Sequence, residues 1–162
     1  MELSTITEDD VKFFSLHGLT IKGKVVNVYD GDTIHIVIPL HDTYHKFKAR
    51  IIGIDTPEMK LPITCEDKEN KKKCAIIARN TLVSLITNCT IDVNYLYDKK
   101  QLSTLLKTNT LVVDINFYEF DKYGRCLIDI NKASEQMITL GMANAYDGGT
   151  KKVEFDSYHA TK

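Results

Sequence analysis

Three separated segments of this sequence carry residues that could do chemistry together: Asp30-Gly31-Asp32-Thr33, Arg50 followed by Asp55-Thr56-Pro57-Glu58, and Asp121-Lys122-Tyr123-Gly124-Arg125. Carboxylates beside a carbonyl-rich turn offer hard oxygen donors to a cation, and separate arginines offer planar forks to a phosphate. Together they suggest metal-assisted cleavage of a phosphodiester. Asp32 opens one strand-like run and Asp55 closes another, so a hairpin register can bring both carboxylates to one rim. If they converge, a divalent cation relieves their repulsion and Thr56 can add its backbone carbonyl. Glu58, just beyond Pro57, would reach the attacking water without binding the cation. Arg50 and Arg125 would neutralise charge growing on the phosphate oxygens. Each segment also has a purely structural reading, as a turn, a helix entry or a hairpin loop. Chance accounts poorly for all three in this order.

The elements that must position these residues follow from periodicity. Thr5-Ile6-Thr7-Glu8 reads as a capping box, with Phe13, Phe14 and Leu16 packing a short amino-terminal helix or turn on the core. Ile21 to Tyr29 alternates loosely. After the Asp-Gly-Asp turn, Ile34, Ile36 and Ile38 recur at period two, the mark of a half-buried strand. His41 to His45 makes a turn, and Phe47 to Ile54 reads as a third strand. From Lys68 to Asn88 the period becomes helical, with Ala75, Ala78, Leu82, Leu85 and Cys89 in one stripe and Arg79, Asn80 and Thr81 largely opposite. Ile91 to Leu96 reads as strand, Asp98 to Lys107 as a short helix presenting Leu102, Leu105 and Leu106, and Leu111 to Phe120 and Cys126 to Ile130 as strands. Ser134 suits a helix cap, and Gly141 a left-handed terminator. The order β-β-β-α-β-(insert)-β-β-α fits an α+β fold, a small, partly open barrel with helices packed on it. An oligonucleotide-binding barrel is the leading candidate.

With 162 residues, 43% of them hydrophobic, the chain suits one domain with one core. A net charge of −1 gives no global basic signature, so affinity for nucleic acid must come from a local patch or a metal. No segment approaches the roughly 20 apolar residues that cross a bilayer, and the amino end does not read as a signal peptide. A soluble, intracellular monomer with no membrane partner is expected. Cys65, Cys74, Cys89 and Cys126 are too widely spaced for a usual zinc pattern and read as reduced thiols.

The chain resembles the staphylococcal nuclease, or thermonuclease-like, family. The resemblance runs from about 22 to 146 and rests on Val-Tyr-Asp-Gly-Asp-Thr at 28 to 33, Arg-Ile-Ile-Gly-Ile-Asp-Thr-Pro-Glu at 50 to 58, Asp-Lys-Tyr-Gly-Arg at 121 to 125 and Gly-Met-Ala at 141 to 143. It implies a five-stranded barrel with packed helices, and calcium held by Asp32, Asp55 and the carbonyl of Thr56 with Asp30 close by. It further implies catalysis by Arg50, Glu58 and Arg125, and contacts from Lys122 and Tyr123 to a nucleotide phosphate. The implied activity is calcium-dependent hydrolysis of DNA and RNA by in-line water attack, leaving 3′-phosphate ends.

Three features depart from the compact bacterial pattern. Residues 96 to 113 form an insertion whose helix could restrict or extend the substrate groove, no clear long carboxy-terminal helix follows Tyr146, and a secretion signal is lacking. Tyr146 is the base-stacking candidate, with packing near a helix end as its alternative. His35, Lys71 to Lys73 and Lys151-Lys152 read as solvated residues, although either lysine group could guide a polyanion. The competing function is a noncatalytic nucleic-acid- or protein-binding module of the same fold. Retention of every carboxylate and both arginines favours the enzyme.

Overall fold

The computed structural model describes residues 2–147. Five strands close into a barrel in the order β1 (Thr20–Val28), β2 (Thr33–Leu40), β3 (Thr43–Ile51), β6 (Cys126–Ile130) and β5 (Val113–Phe120). All neighbours are antiparallel except β3 and β6, which run parallel through Ala49–Cys126, Arg50–Leu127 and Ile51–Ile128. That parallel seam closes the barrel, which the sequence pattern left partly open. With helices α1 (Lys68–Ile86), α2 (Lys99–Leu106) and α3 (Ala133–Thr139) on its outside, the architecture is α+β, a five-stranded barrel of the oligonucleotide-binding type.

The inward row of β2 is the one that alternation predicted, and the other barrel strands add their own. Val25, Ile34, Ile36, Ile38, Ala49, Ile51, Ile115, Ile128 and Ile130 are fully buried. The β2–β3 hairpin turns on His41 and Asp42, both at positive φ, and this two-residue connection lets β3 begin at Thr43, before the expected Phe47. A further pair, β4 (Ile54–Asp55) with β7 (Asn144–Ala145), ties the end of the third strand to the chain leaving α3. Among the described residues no helix is long and apolar enough to cross a membrane, and all four cysteines are free.

Several expectations are corrected. Residues 91–96 are not a strand: the Asn80 side-chain amide donates to the carbonyls of Val93 (3.1 Å) and Tyr95 (2.8 Å), and Arg79 donates to that of Tyr97 (2.8 Å). Backbone groups that a ladder would have paired are satisfied by α1 side chains instead. Arg79, Asn80 and Thr81 are therefore buried, not on the solvent side of α1, and burial holds the Arg79 guanidinium below its ordinary value against the opposing pull of Asp98.

The amino-terminal box is formed by Thr7 and Asp10, not Thr5 and Glu8, since both the N–H and the hydroxyl of Thr7 donate to Asp10. Only short 3-10 turns result, and Phe13 and Phe14 stay exposed while Leu16 is buried. Ser134 lies inside α3 and donates to Asp129, because Asn131 and Lys132 at positive φ start the helix two residues earlier.

Asn109, fully buried, joins the end of α2 to the barrel. Its amide donates to the Val25 carbonyl at 2.9 Å and its oxygen accepts the N–H groups of Asn88 and Leu111. Asn109→Ala strands these partners and should lower stability by about 2–4 kcal/mol, read from the urea midpoint.

Candidate active site

The turn between β1 and β2 is built by its own side chains. Asp30 accepts the N–H groups of Asp32 (3.1 Å) and Thr33 (2.8 Å), an Asx-type closure. A Cβ on Gly31 would stand 2.8 Å from the Thr56 side chain, so the absence of one lets this turn lie directly against the segment after β4. Asp32 then meets Thr56, whose N–H (3.2 Å) and hydroxyl (3.1 Å) both donate to Oδ2.

The other Asp32 oxygen accepts the Thr33 hydroxyl at 2.9 Å and lies 3.0 Å from Nη1 of Arg50. The outward position of Arg50 on β3, opposite Thr33 on β2, sets that meeting. Nη2 of the same guanidinium donates to the Ile54 carbonyl at 3.0 Å and stands 3.7 Å from Asp55. The two buried carboxylates thus flank one guanidinium fork, whose carbon lies 5.4 Å from the ring centre of Tyr146. Pairing of β4 with β7 and the bond from Tyr146 N–H to the Gly53 carbonyl deliver that ring to the site.

Arg125 is held by the β5–β6 turn. Asp121 accepts its Nε at 2.6 Å and its backbone N–H at 2.9 Å, together with the N–H of Tyr123. Gly124, at φ +78°, gives the turn its left-handed residue. Both Arg125 and Lys122 lie over the exposed Tyr123 ring, at 5.5 and 5.1 Å from its centre. Burial works to raise the Asp121 carboxyl, but hydrogen bonds from Arg125 and Tyr123, with the Arg125 charge, outweigh it and hold the group below its ordinary value.

A depressed carboxyl contributes stability that is present above its unfolded value of 3.8 and is lost as pH falls through the folded one. Asp121→Asn should therefore be less stable than wild type at neutral pH. The gap should shrink in urea titrations run at successively lower pH below that value.

Asp30, Asp32, Arg50, Asp55, Thr56, Glu58, Lys122, Tyr123, Arg125 and Tyr146 all line one cleft of about 1010 Å³ on the barrel rim. Every site residue expected from the sequence is thus brought to one place. Glu58 is exposed on its wall. The insertion is not: no residue from 96 to 113 lines the cleft, and α2 instead buries Leu102 and Leu106 against the barrel. Sequence reasoning passed over Tyr29 and Lys60 on the wall, and Asp121 as the clamp of Arg125. The acid four residues before Arg125 across a turn glycine was the available signal for the last.

No protein-family model matches the sequence. The chain is similar to an uncharacterized protein of Methanocaldococcus jannaschii, 29% identical over an alignment of 141 residues that takes in 76% of this chain and 58% of that protein. The chain therefore spans less than two thirds of the relative it matches.

The donor set at the rim fits a hard cation in kind. Asp32 and Asp55 offer carboxylate oxygens, with the Thr56 backbone beside them, and among the described residues no cysteine or histidine lines the cleft. Asp32 and Asp55 share the Arg50 guanidinium, and the neighbouring Asp30 carboxyl is raised to about 7, by burial first and by the Asp32 charge second. Among the described residues no cluster of three or more His, Cys, Asp or Glu side chains forms a ready cage. A cation here would rest on two carboxylates, backbone oxygen and water, as a site that opens onto substrate does.

Proposed function

We propose that this protein is a calcium-dependent nuclease that hydrolyses phosphodiester bonds of DNA and RNA and leaves 3′-phosphate ends. The observation that carries the reading is the convergence of Arg50, Arg125 and Glu58, from three separate segments, on the same cleft as the Asp32–Asp55 pair. A binding module has no need of an exposed carboxylate among cationic groups that would hold its phosphate. It also fits the motif series at 28 to 33, 50 to 58 and 121 to 125 that resembles thermonuclease-like domains.

Asp32, Asp55 and the Thr56 carbonyl would hold calcium, which supplies Lewis-acid stabilisation at the phosphate when bound. Lys122 and Tyr123 bind a neighbouring phosphate. Arg50 donates to the non-bridging oxygens as they gain charge, Arg125 assists the departing 5′-oxygen, and Glu58 takes the proton of the attacking water or aligns it. Tyr146 offers a face to a base beside Arg50.

The test is cleavage of single-stranded DNA, duplex DNA and RNA, each with calcium, magnesium or excess chelator. Calcium should support turnover, magnesium less, because magnesium demands octahedral geometry and dehydrates reluctantly. Chelator should abolish it. Full activity in chelator, or none with calcium on any substrate, would defeat the reading.

A further inference from the structure

Outside the cleft, the face of the barrel formed by β1, β2 and β3 has an unusual charge pattern. These three strands contain no aspartate or glutamate, although acidic residues outnumber basic ones in the chain as a whole, 22 to 21. On β3 the inward side is taken by Ala49 and Ile51, fully buried, and by the partly buried Phe47 that packs on the core. The alternate positions point outward, and in order they are Tyr44, Lys46, Lys48 and Arg50.

Successive members of that row are about 6.7 Å apart, so it runs for about 20 Å along the strand. It ends in the cleft, since Arg50 and its β2 partner Thr33 both line it. One outward rung further out, Lys48 pairs with His35, and the next pairs Lys46 with Val37. Lys48 and Arg125 immediately precede the Ala49–Cys126 pair of the parallel seam, so the row passes beside the second cleft arginine.

The lysines of this row are uncommitted. Lys46 and Lys48 are exposed and take part in no ion pair among the described residues, whereas Lys22 on β1 is paired with Asp114 at 3.0 Å. Their field is felt locally: burial, then Lys46 and Lys48, hold the His35 imidazole below its ordinary value. Tyr44 closes the row with 76% of its surface exposed. An exposed aromatic ring at the far end of two unpaired ammonium groups is the combination that holds a single nucleic-acid strand, charge following the backbone and the ring accepting an unstacked base. A duplex cannot offer such a base, and an acidic peptide has none.

We infer that the outward row Tyr44–Lys46–Lys48 is a track for a single nucleic-acid strand that leads to Arg50 and adds affinity for a polynucleotide over a dinucleotide. The inference rests on the proposed function for the direction of the strand, but not for its binding. Calcium and Glu58 play no part in it.

The experiment is equilibrium binding of labelled oligothymidylates, from dinucleotide to octanucleotide, in chelator and at several salt concentrations. It compares wild type with the double variant Lys46→Gln/Lys48→Gln and with Tyr44→Ala. All three residues are exposed, and unchanged urea midpoints check the fold. Wild-type affinity should climb with length. The double variant should bind the octanucleotide at least tenfold more weakly, change the dinucleotide less than twofold, and flatten the salt dependence by about 1.4 in log–log slope, about 0.7 for each phosphate left without its lysine. Tyr44→Ala should cost the octanucleotide roughly tenfold with its salt slope kept.

Unchanged octanucleotide binding in the double variant overturns the track, and so does equal weakening of both lengths. A polyglutamate peptide that binds wild type as tightly as the octanucleotide, and weakens equally in the variants, also overturns it by making the row a general anion surface. If wild type cleaves no substrate with calcium but shows these length effects, the nuclease reading fails and the track stands. If it cleaves and the length effects are absent, the reverse holds.

Discussion

Lysine in place of Arg50 or Arg125 should lower turnover on the order of 10²- to 10³-fold while the protein remains folded. The two arginines reach the cleft from different elements, β3 and the β5–β6 turn, and each is already aimed by a carboxylate, Asp32 at 3.0 Å from Arg50 and Asp121 at 2.6 Å from Arg125. Such aiming is preorganisation: the donor need not be ordered as the phosphate gains charge. An ammonium can still pair with either aspartate, so the fold should tolerate the change, but it cannot present two parallel N–H groups to one phosphate. Arg50→Lys carries a second loss, because one terminal nitrogen of Arg50 contacts Asp32 while the other donates to the Ile54 carbonyl and lies 3.7 Å from Asp55. Calcium affinity should therefore shift in Arg50→Lys and hold in Arg125→Lys. Single-turnover cleavage with calcium titration reads both. Near-normal turnover in either folded variant removes that arginine from the mechanism.

How far this arrangement could be read from the sequence depends on the range of the interactions that set it. Strand faces were legible because burial imposes period two on Ile34, Ile36 and Ile38, and α2 was legible as a short helix from Asp98 on, although its cap, in which Asp98 and Gln101 exchange side-chain and backbone bonds, was not read. The site residues were legible as types, since carboxylates and arginines at turns are costly to assemble without use. What periodicity could not reveal is long-range pairing. The β4–β7 ladder involves two residues on each side, too few for any pattern, yet it fixes Asp55 and brings Tyr146 to Arg50. The stretch from 91 to 96 failed for the opposite reason. Its composition suits a strand, and Asn80 on α1 took its carbonyls. An asparagine in a helix gives no sign of which backbone it will satisfy.

Glutamine at position 58 should separate chemistry from binding. Glu58 lies exposed on the cleft wall, three residues beyond Asp55 and after Pro57, whose fixed φ stiffens the link to β4. On the proposed reading its carboxylate serves the attacking water and is not a primary phosphate contact. Glutamine keeps the size and the hydrogen-bonding reach of the side chain but cannot accept a proton at neutral pH. Turnover should then fall by about 10²- to 10⁴-fold, the usual range for loss of a positioned acid–base group. Affinity for an uncleaved nucleotide and for calcium should stay within about threefold, so the loss should fall on kcat and kcat/KM alike. The carboxylates behind it should behave otherwise. Asp32→Asn should weaken calcium affinity along with turnover, because Asp32 is buried between Arg50 and Thr56 and its charge would be part of the proposed cation's seat. Lys122→Ala should weaken nucleotide binding first. A Glu58→Gln protein that cleaves like wild type and loses only substrate affinity would make Glu58 a binding group, and the water in this cleft would then need a different base.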